Sequence, residues 1–233
     1  MNELEFIEEI KKLGINIDDY KLQKLNKFYN LLIEWNNKIN LTRITNKDEV
    51  YLKHFYDSLT LIKAIDLNKD LNLLDIGTGA GFPGIVLKIV FPNLKVTLLD
   101  SLNKRINYLN EIIKELELKD IDTICMRAED YTKENREKYD VVVSRAVSEL
   151  SILTEISFST VKVDGVMIAM KTDNEDEIKK ASDIIKKMNG KLIKTIDFML
   201  PFENSKRKLV VIKKIEKTDK KYPRNYSIIK KNK

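Results

Sequence analysis

The spacing of apolar residues changes near residue 70. Before it, Leu22, Leu25, Phe28, Tyr29, Leu32, Trp35 and Ile39 recur every three or four positions, which lines one face of a helix. Gly14 ends a shorter helix ahead of this one, and Asp18 supplies the short polar side chain that caps a helix N-terminus. Residues 1–65 therefore read as a small N-terminal helical cap. From residue 71, short apolar runs at 71–76, 94–99, 121–126, 139–143, 165–170, 192–199 and 208–213 alternate with amphipathic stretches near 83–91, 103–117, 148–160 and 174–188. Such alternation builds a mostly parallel sheet with helices on both faces. Only a loop separates the last two runs, whereas parallel neighbours need a crossover of about a dozen residues or more, so these two pair antiparallel. The pattern predicts an α/β, Rossmann-like fold: a seven-stranded, mostly parallel sheet with one antiparallel strand over residues 66–215, then a tail at 216–233.

Where the first strand ends, the chain reads Leu73-Leu74-Asp75-Ile76-Gly77-Thr78-Gly79-Ala80-Gly81-Phe82-Pro83-Gly84. Glycine lets the main chain take positive φ and approach a ligand closely, and Pro83 suits the first turn of a following helix. A dinucleotide fingerprint beginning at Gly77 needs its third glycine at position 82, which is Phe82. The other register, Gly79, Gly81 and Gly84, starts beyond the apolar run. The D-x-G-x-G-x-G form, with Asp75 closing the strand, resembles motif I of the S-adenosylmethionine (SAM) methyltransferases. SAM carries a sulfonium and an ammonium but no phosphate, so an acid beside the loop is tolerated where a pyrophosphate is repelled. The second run ends in Asp100, twenty-five residues after Asp75. An acid about 20 residues beyond the glycine loop commonly accepts ribose hydroxyls. Asp is also a favoured N-cap, and a helix opens at Leu102 or Asn103. Asp100 fits any adenosine-containing cofactor. The expected cofactor residues of this region are Asp75, Gly77, Gly79 and Asp100.

The 233 residues, 43% hydrophobic and 33% charged, suffice for one sizeable α/β domain with an appendage. No apolar run approaches the ~18 residues of a membrane span, and the first residues lack the basic and apolar regions of a signal peptide, so a cytoplasmic location away from membranes is expected. A single cysteine, Cys125, leaves no intrachain disulfide and no multi-cysteine metal site. No metal is expected, and Cys125 reads as strand core. The net charge of +6 is uneven: residues 206–233 hold twelve Lys or Arg against Glu216 and Asp219. A basic tail attracts nucleic acid by releasing counterions from phosphates.

In open parallel sheets ligands lie beyond the carboxyl ends of the strands. There the chain places Arg127-Ala128-Glu129-Asp130, Ser144-Arg145-Ala146 and Lys171. In methyltransferases of this architecture the loop after the third strand lies beside the adenine, which makes Ala128 and Glu129 candidate contacts. The Asn- or Asp-Pro-Pro-Tyr motif of amino-group methyltransferases is absent after Val143, and no cysteine follows a strand to attack carbon. An acceptor with a lone pair and no proton to lose needs neither device. Guanine N7 is such an atom, and transfer to it can run on alignment with electrostatic support. Arg145 and Lys171 are candidates to orient the base or its phosphates. His54, the only histidine, stands in a helical stretch, where a lone His is usually structural.

Taken together, Asn40-Leu41-Thr42, His54-Phe55-Tyr56-Asp57-Ser58, the segment Asp75–Gly84, Leu98-Leu99-Asp100-Ser101 with Lys104-Arg105, Ala128-Glu129, Ser144-Arg145-Ala146 and Lys220-Lys221-Tyr222-Pro223-Arg224 resemble the GidB-type (RsmG) bacterial methyltransferases. The resemblance runs from about residue 40 to 224. It implies a class I methyltransferase that moves a methyl group from SAM to N7 of one guanine in the decoding-region loop of 16S ribosomal RNA. The implied partners are 16S rRNA and the small ribosomal subunit; separately, a monomer is expected. Residue by residue, Gly77, Phe82, Ala128, Glu129 and Arg145 match the family's cofactor positions, and His54 and Asp57 become site candidates beside Arg145 and Lys171. Ser227-Ile228-Ile229 departs from the Pro- and Gly-rich segment expected there.

Overall fold

Helix α1 (Glu3–Lys12) begins with a reciprocal cap: Asn2 Oδ1 accepts from Glu5 N (3.0 Å) and the Glu5 carboxylate accepts from Asn2 N (2.8 Å). Helix α2 (Asp19–Ile39) is capped as its sequence predicts, with Asp18 accepting from Lys21 N at 2.8 Å. A short helix α3 (Lys47–Val50) follows. The chain then widens into a π-helical turn (Tyr51–Tyr56) that runs into α4 (Asp57–Leu59) and a 3-10 turn (Thr60–Lys63). Widened turns of this kind often sit at functional sites, and this one carries His54. The computed structural model describes residues 1–172 and 175–231.

The α/β part runs β1 (Asn72–Ile76), α5 (Gly84–Val90), β2 (Lys95–Asp100), α6 (Asn103–Glu115), β3 (Ile121–Cys125), α7 (Ala128–Glu134), β4 (Tyr139–Arg145), α8 (Leu150–Ser157) with a 3-10 turn (Phe158–Thr160), β5 (Val161–Lys171), α9 (Glu175–Lys187), β6 (Gly190–Met199), β7 (Lys206–Lys214) and α10 (Tyr226–Lys231). The strand order is β3-β2-β1-β4-β5-β7-β6, and β7 is antiparallel to both its neighbours. This is the predicted seven-stranded sheet with one reversed strand. The order reverses between β1 and β4, the position at which such sheets open a crevice for ligands.

Alternation along each strand feeds two apolar layers. Leu73 and Val141 point to the layer that holds Phe6, Phe28, Leu32 and Phe55, so the N-terminal helices and one face of the sheet share a continuous core. Leu74, Ile76 and Val142 point to the other layer, with Leu153, Phe158 and Ile185. Phe28 ties the layers of the first core together, its ring 5.7 Å from that of Phe55 and 5.4 Å from that of Phe82.

Two expectations are corrected, and the tail, of which no conformation was expected, is located. The segment after the third strand is helix α7 and not a loop, a helix too short for its apolar period to stand out. Cys125 is exposed and not in the core, because β3 is an edge strand and Cys125 is its last residue. The tail is pinned: Arg136 donates to the carbonyls of Tyr222 (2.7 Å) and Asp219 (3.2 Å), and Arg224 pairs with the buried Glu155. The predicted start of the last helix at residue 174 lies outside the described residues.

Candidate functional site

The loop after β1 is shaped from beneath. Asp75 Oδ2 accepts from Thr78 Oγ1 (2.7 Å) and Gly84 N (2.8 Å), cinching the turn between strand and helix. Its carboxyl is fully buried, Oδ1 has no hydrogen-bond partner, and burial pushes its pKa up to about 6. Asp75, expected as a cofactor contact, therefore builds the loop and lines neither of the two cavities at this edge of the sheet. At Gly77 the main chain has φ +66°, and a Cβ would stand 2.5 Å from Val147 Cγ2. Glycine is what lets this loop touch the segment after β4.

A cavity of about 320 Å³ opens beside Gly77, at the ends of β1 and β2, and is lined among others by Asp100, Arg105, Ala128, Glu129 and Tyr226. Asp100 is buried; Oδ1 accepts from Leu102 N (3.0 Å), and Oδ2 from Gly79 N (3.1 Å) and Arg105 (3.0 Å). It fixes the turn ahead of α6 through Leu102 N and lines the cavity, but it is not the N-cap of α6, a position held by Leu102 without a side-chain cap. A carboxylate offers about four acceptor sites, and three are engaged. Glu129 lies in the first turn of α7, where the helix dipole favours an acid, and accepts from Arg127 Nε at 2.9 Å. Each carboxylate on the wall thus faces one arginine, so the lining carries no cationic cradle for a pyrophosphate. Gly79 is not on this wall; it reaches the site through its hydrogen bond to Asp100.

A second cavity, about 550 Å³, collects His54, Asp57, Arg145, Lys171 and Arg207. Arg145, at the end of β4, donates to Lys53 O (2.9 Å), His54 Nδ1 (3.0 Å) and Asp57 Oδ2 (3.3 Å), and its guanidinium lies 5.1 Å from the centre of the Phe82 ring. His54 stacks on the same ring at 4.4 Å. Its Nδ1 also lies 3.2 Å from Lys53 O, and its Nε2 lies 3.0 Å from Thr42 Oγ1, so both ring nitrogens have a partner. Burial, and next the Arg145 charge, push the His54 pKa down to about 3, which keeps the ring neutral. Asp57 also forms an ion pair with Arg207 Nε at 3.3 Å. One buried carboxylate therefore holds two guanidiniums and leaves the group with a net positive charge.

The two cavities share Ala146 and Val147. Ala146 has φ +56°, a conformation that costs a non-glycine residue about 1–2 kcal/mol. A strained segment thus separates a neutral cavity from a cationic one.

The structure brings His54, Asp57, Arg145 and Lys171 to one cavity, and Gly77, Asp100, Ala128 and Glu129 to the other. Three expected residues have placements that the sequence did not show. Arg145 lines the second cavity and not the first. Phe82 is buried beneath His54 and Arg145, supporting the second cavity from behind. Lys171 is engaged through its ammonium with Ser148 O and Glu177, tying the strained segment to α9; it positions that segment and does not reach freely into the cavity. Sequence reasoning missed Arg207 and Tyr226. Arg207 was findable: β7 runs against its neighbours, so its beginning, not its end, reaches the ligand edge.

The family model described as GidB, rRNA small subunit methyltransferase G, matches residues 21–218. The chain belongs to this family. The ribosomal RNA small subunit methyltransferase G of Desulforamulus reducens is 49% identical over 221 residues, covering 94% of this chain and 92% of that protein. That of Bacillus cytotoxicus is 46% identical over 227 residues, covering 96% of this chain and 95% of the relative. Among solved structures, a SAM dependent methyltransferase from Aquifex aeolicus superposes with TM-score 0.52 at 18% identity, covering 72% of this chain and 93% of that one. At that identity the likeness speaks for the Rossmann-like class I methyltransferase fold alone.

Proposed function

We propose that this member of the family transfers a methyl group from SAM to N7 of one guanine in the decoding-region loop of 16S ribosomal RNA. The observation that carries the reading is the pair of cavities that meet at Ala146 and Val147 on the carboxyl edge of the sheet. A donor in one and an acceptor in the other face each other across a single segment.

The first cavity fits SAM by the chemistry of its donors. Asp100 retains acceptor capacity for a ribose, Ala128 and Glu129 flank the expected adenine position, and the arginine-balanced carboxylates suit a cofactor without phosphates. SAM, when bound, supplies an electrophilic methyl on its sulfonium. The chain's own residues align and shield the reaction. In the second cavity Arg145 and Arg207 are suited to an electron-rich base or its phosphate, and His54 lines it with the buried Phe82 ring stacked behind. His54 is neutral and both its ring nitrogens are engaged, while Asp57 is bound to two guanidiniums, so neither is available as a general base. An acceptor nitrogen with a lone pair and no proton to lose asks for none. Such an acceptor leaves alignment as the work of the chain's own residues, so the rate depends on geometry.

Purified protein incubated with methyl-labelled SAM and unmodified 16S RNA or small subunits, followed by N7-specific strand cleavage, tests this reading. Cleavage at a single guanine of the decoding-region loop is expected. Label on another atom or another molecule, or no transfer despite SAM binding, refutes it.

A further inference from the structure

The cofactor cavity has a wall that no strand-end motif supplies. Tyr226, the first residue of α10, lines it together with Met126, Ala128 and Ile156. The Arg127 guanidinium lies 5.4 Å from the centre of the Tyr226 ring while its Nε is bound to Glu129, so three groups of the rim are linked. Tyr226 is half-buried, and the adjoining Ile229 is buried against Ile152 and Ile156 in a small apolar cluster of its own. Just ahead, Arg224 grips Glu155 three times, through its backbone N (3.1 Å), Nε (2.7 Å) and a terminal nitrogen (2.7 Å). Glu155 is only 2% exposed, and an uncompensated buried carboxylate is costly, so this clasp holds the segment in place.

We propose that Tyr226 covers the adenosine end of the cofactor cavity, and that the pinned C-terminal segment is a component of the SAM site. The inference rests on the SAM reading above. A flat heteroaromatic ring entering among Met126, Ala128 and Ile156 meets an aromatic side chain whose conformation is already restricted by Arg127 and by the clasp. The basic tail then serves the cofactor as well as any nucleic acid.

The test is calorimetric titration of SAM into the full-length chain, into Tyr226→Ala and Tyr226→Phe, and into a chain ending at Asn225, which keeps the Arg224–Glu155 clasp. Aromatic contact with a base is worth about 1–3 kcal/mol, which converts to a loss of affinity of about fivefold or more in Tyr226→Ala and in the shortened chain. Tyr226→Phe, which keeps the ring, stays within about twofold. Circular dichroism confirms that each variant is folded. Unchanged affinity in Tyr226→Ala or in the shortened chain overturns the inference while leaving the SAM reading intact, and so does a Tyr226→Phe loss as large as that of Tyr226→Ala. A full-length chain that does not bind SAM removes the cofactor reading itself.

Discussion

Replacing Asp75 separates its role as a loop pin from its charge. In Asp75→Ala, Thr78 Oγ1 and Gly84 N lose their common acceptor in a place water does not reach. A buried donor left without a partner costs about 1–3 kcal/mol, so the two together cost about 2–6 kcal/mol. For a chain of this length each kcal/mol moves the melting temperature by about 2–4 °C, giving a fall of about 4–24 °C. Asp75→Asn keeps a carbonyl oxygen where Oδ2 stands and puts an amide nitrogen in place of the unpartnered Oδ1, so at neutral pH it stays within about 1 kcal/mol of the parent. Urea unfolding followed by circular dichroism measures both, and SAM titration follows the loop: Asp75→Ala releases Gly77 and Gly79 and weakens binding, whereas Asp75→Asn does not. Equal stability of Asp75→Ala and the parent, or equal destabilisation of the two variants, refutes the assignment of Asp75 as a pin.

Other outcomes follow from the same geometry. Asp100→Ala removes a wall acceptor that also holds Gly79 N, and is expected to weaken SAM binding by about 1–3 kcal/mol; an unchanged calorimetric Kd removes Asp100 from the site. Arg145→Lys keeps the charge but loses the fork that reaches Lys53, His54 and Asp57 together, and kcat in the RNA methylation assay should fall at least about tenfold, the equivalent of one charge-assisted hydrogen bond; parental kcat contradicts the acceptor-side role. Gly77→Ala forces a Cβ onto Val147 at positive φ, so KM for SAM and kcat both deteriorate, and kinetics in which neither moves refute the shared-wall geometry. Acid stability reports two opposed groups. His54, about 3 in the fold against 6.5 unfolded, adds stability above pH 6.5 that is lost as pH falls toward 3. Asp75, about 6 in the fold against 3.8 unfolded, adds stability below pH 3.8 that is lost as pH rises through 6. Between pH 6 and 4 the two slopes oppose each other, so Asp75→Asn should show a steeper acid loss than the parent, by at most about 1.4 kcal/mol per pH unit. Identical pH profiles in urea titrations contradict the assignment.

The sheet was legible because its signals are local. Short apolar runs against a helical spacing, and a loop too short for a crossover, were enough to place every strand and to make the last two antiparallel. Cavity residues were legible from the strand pattern near the ends of parallel strands, as at Asp100, Glu129 and Arg145, and from the family resemblance at His54 and Asp57. Asp75 misled because an acid that shapes a glycine loop and an acid that binds a ligand share one sequence position, and only the burial of its carboxyl separates them. Lys171 misled because its partner, Glu177, comes from the next helix. Arg207 and Tyr226 reach the cavities from a reversed strand and from a tail docked on α8, and such long-range placement leaves no periodic trace.

The strand order places β7 between β5 and β6, although β6 precedes it in the chain. A polypeptide emerges from synthesis N-terminus first. Until β7 has been made, β6 has no neighbour and the second cavity lacks Arg207; until α10 has been made, the first lacks Tyr226. Each chamber is therefore completed by an element that is made after the strands it rests on.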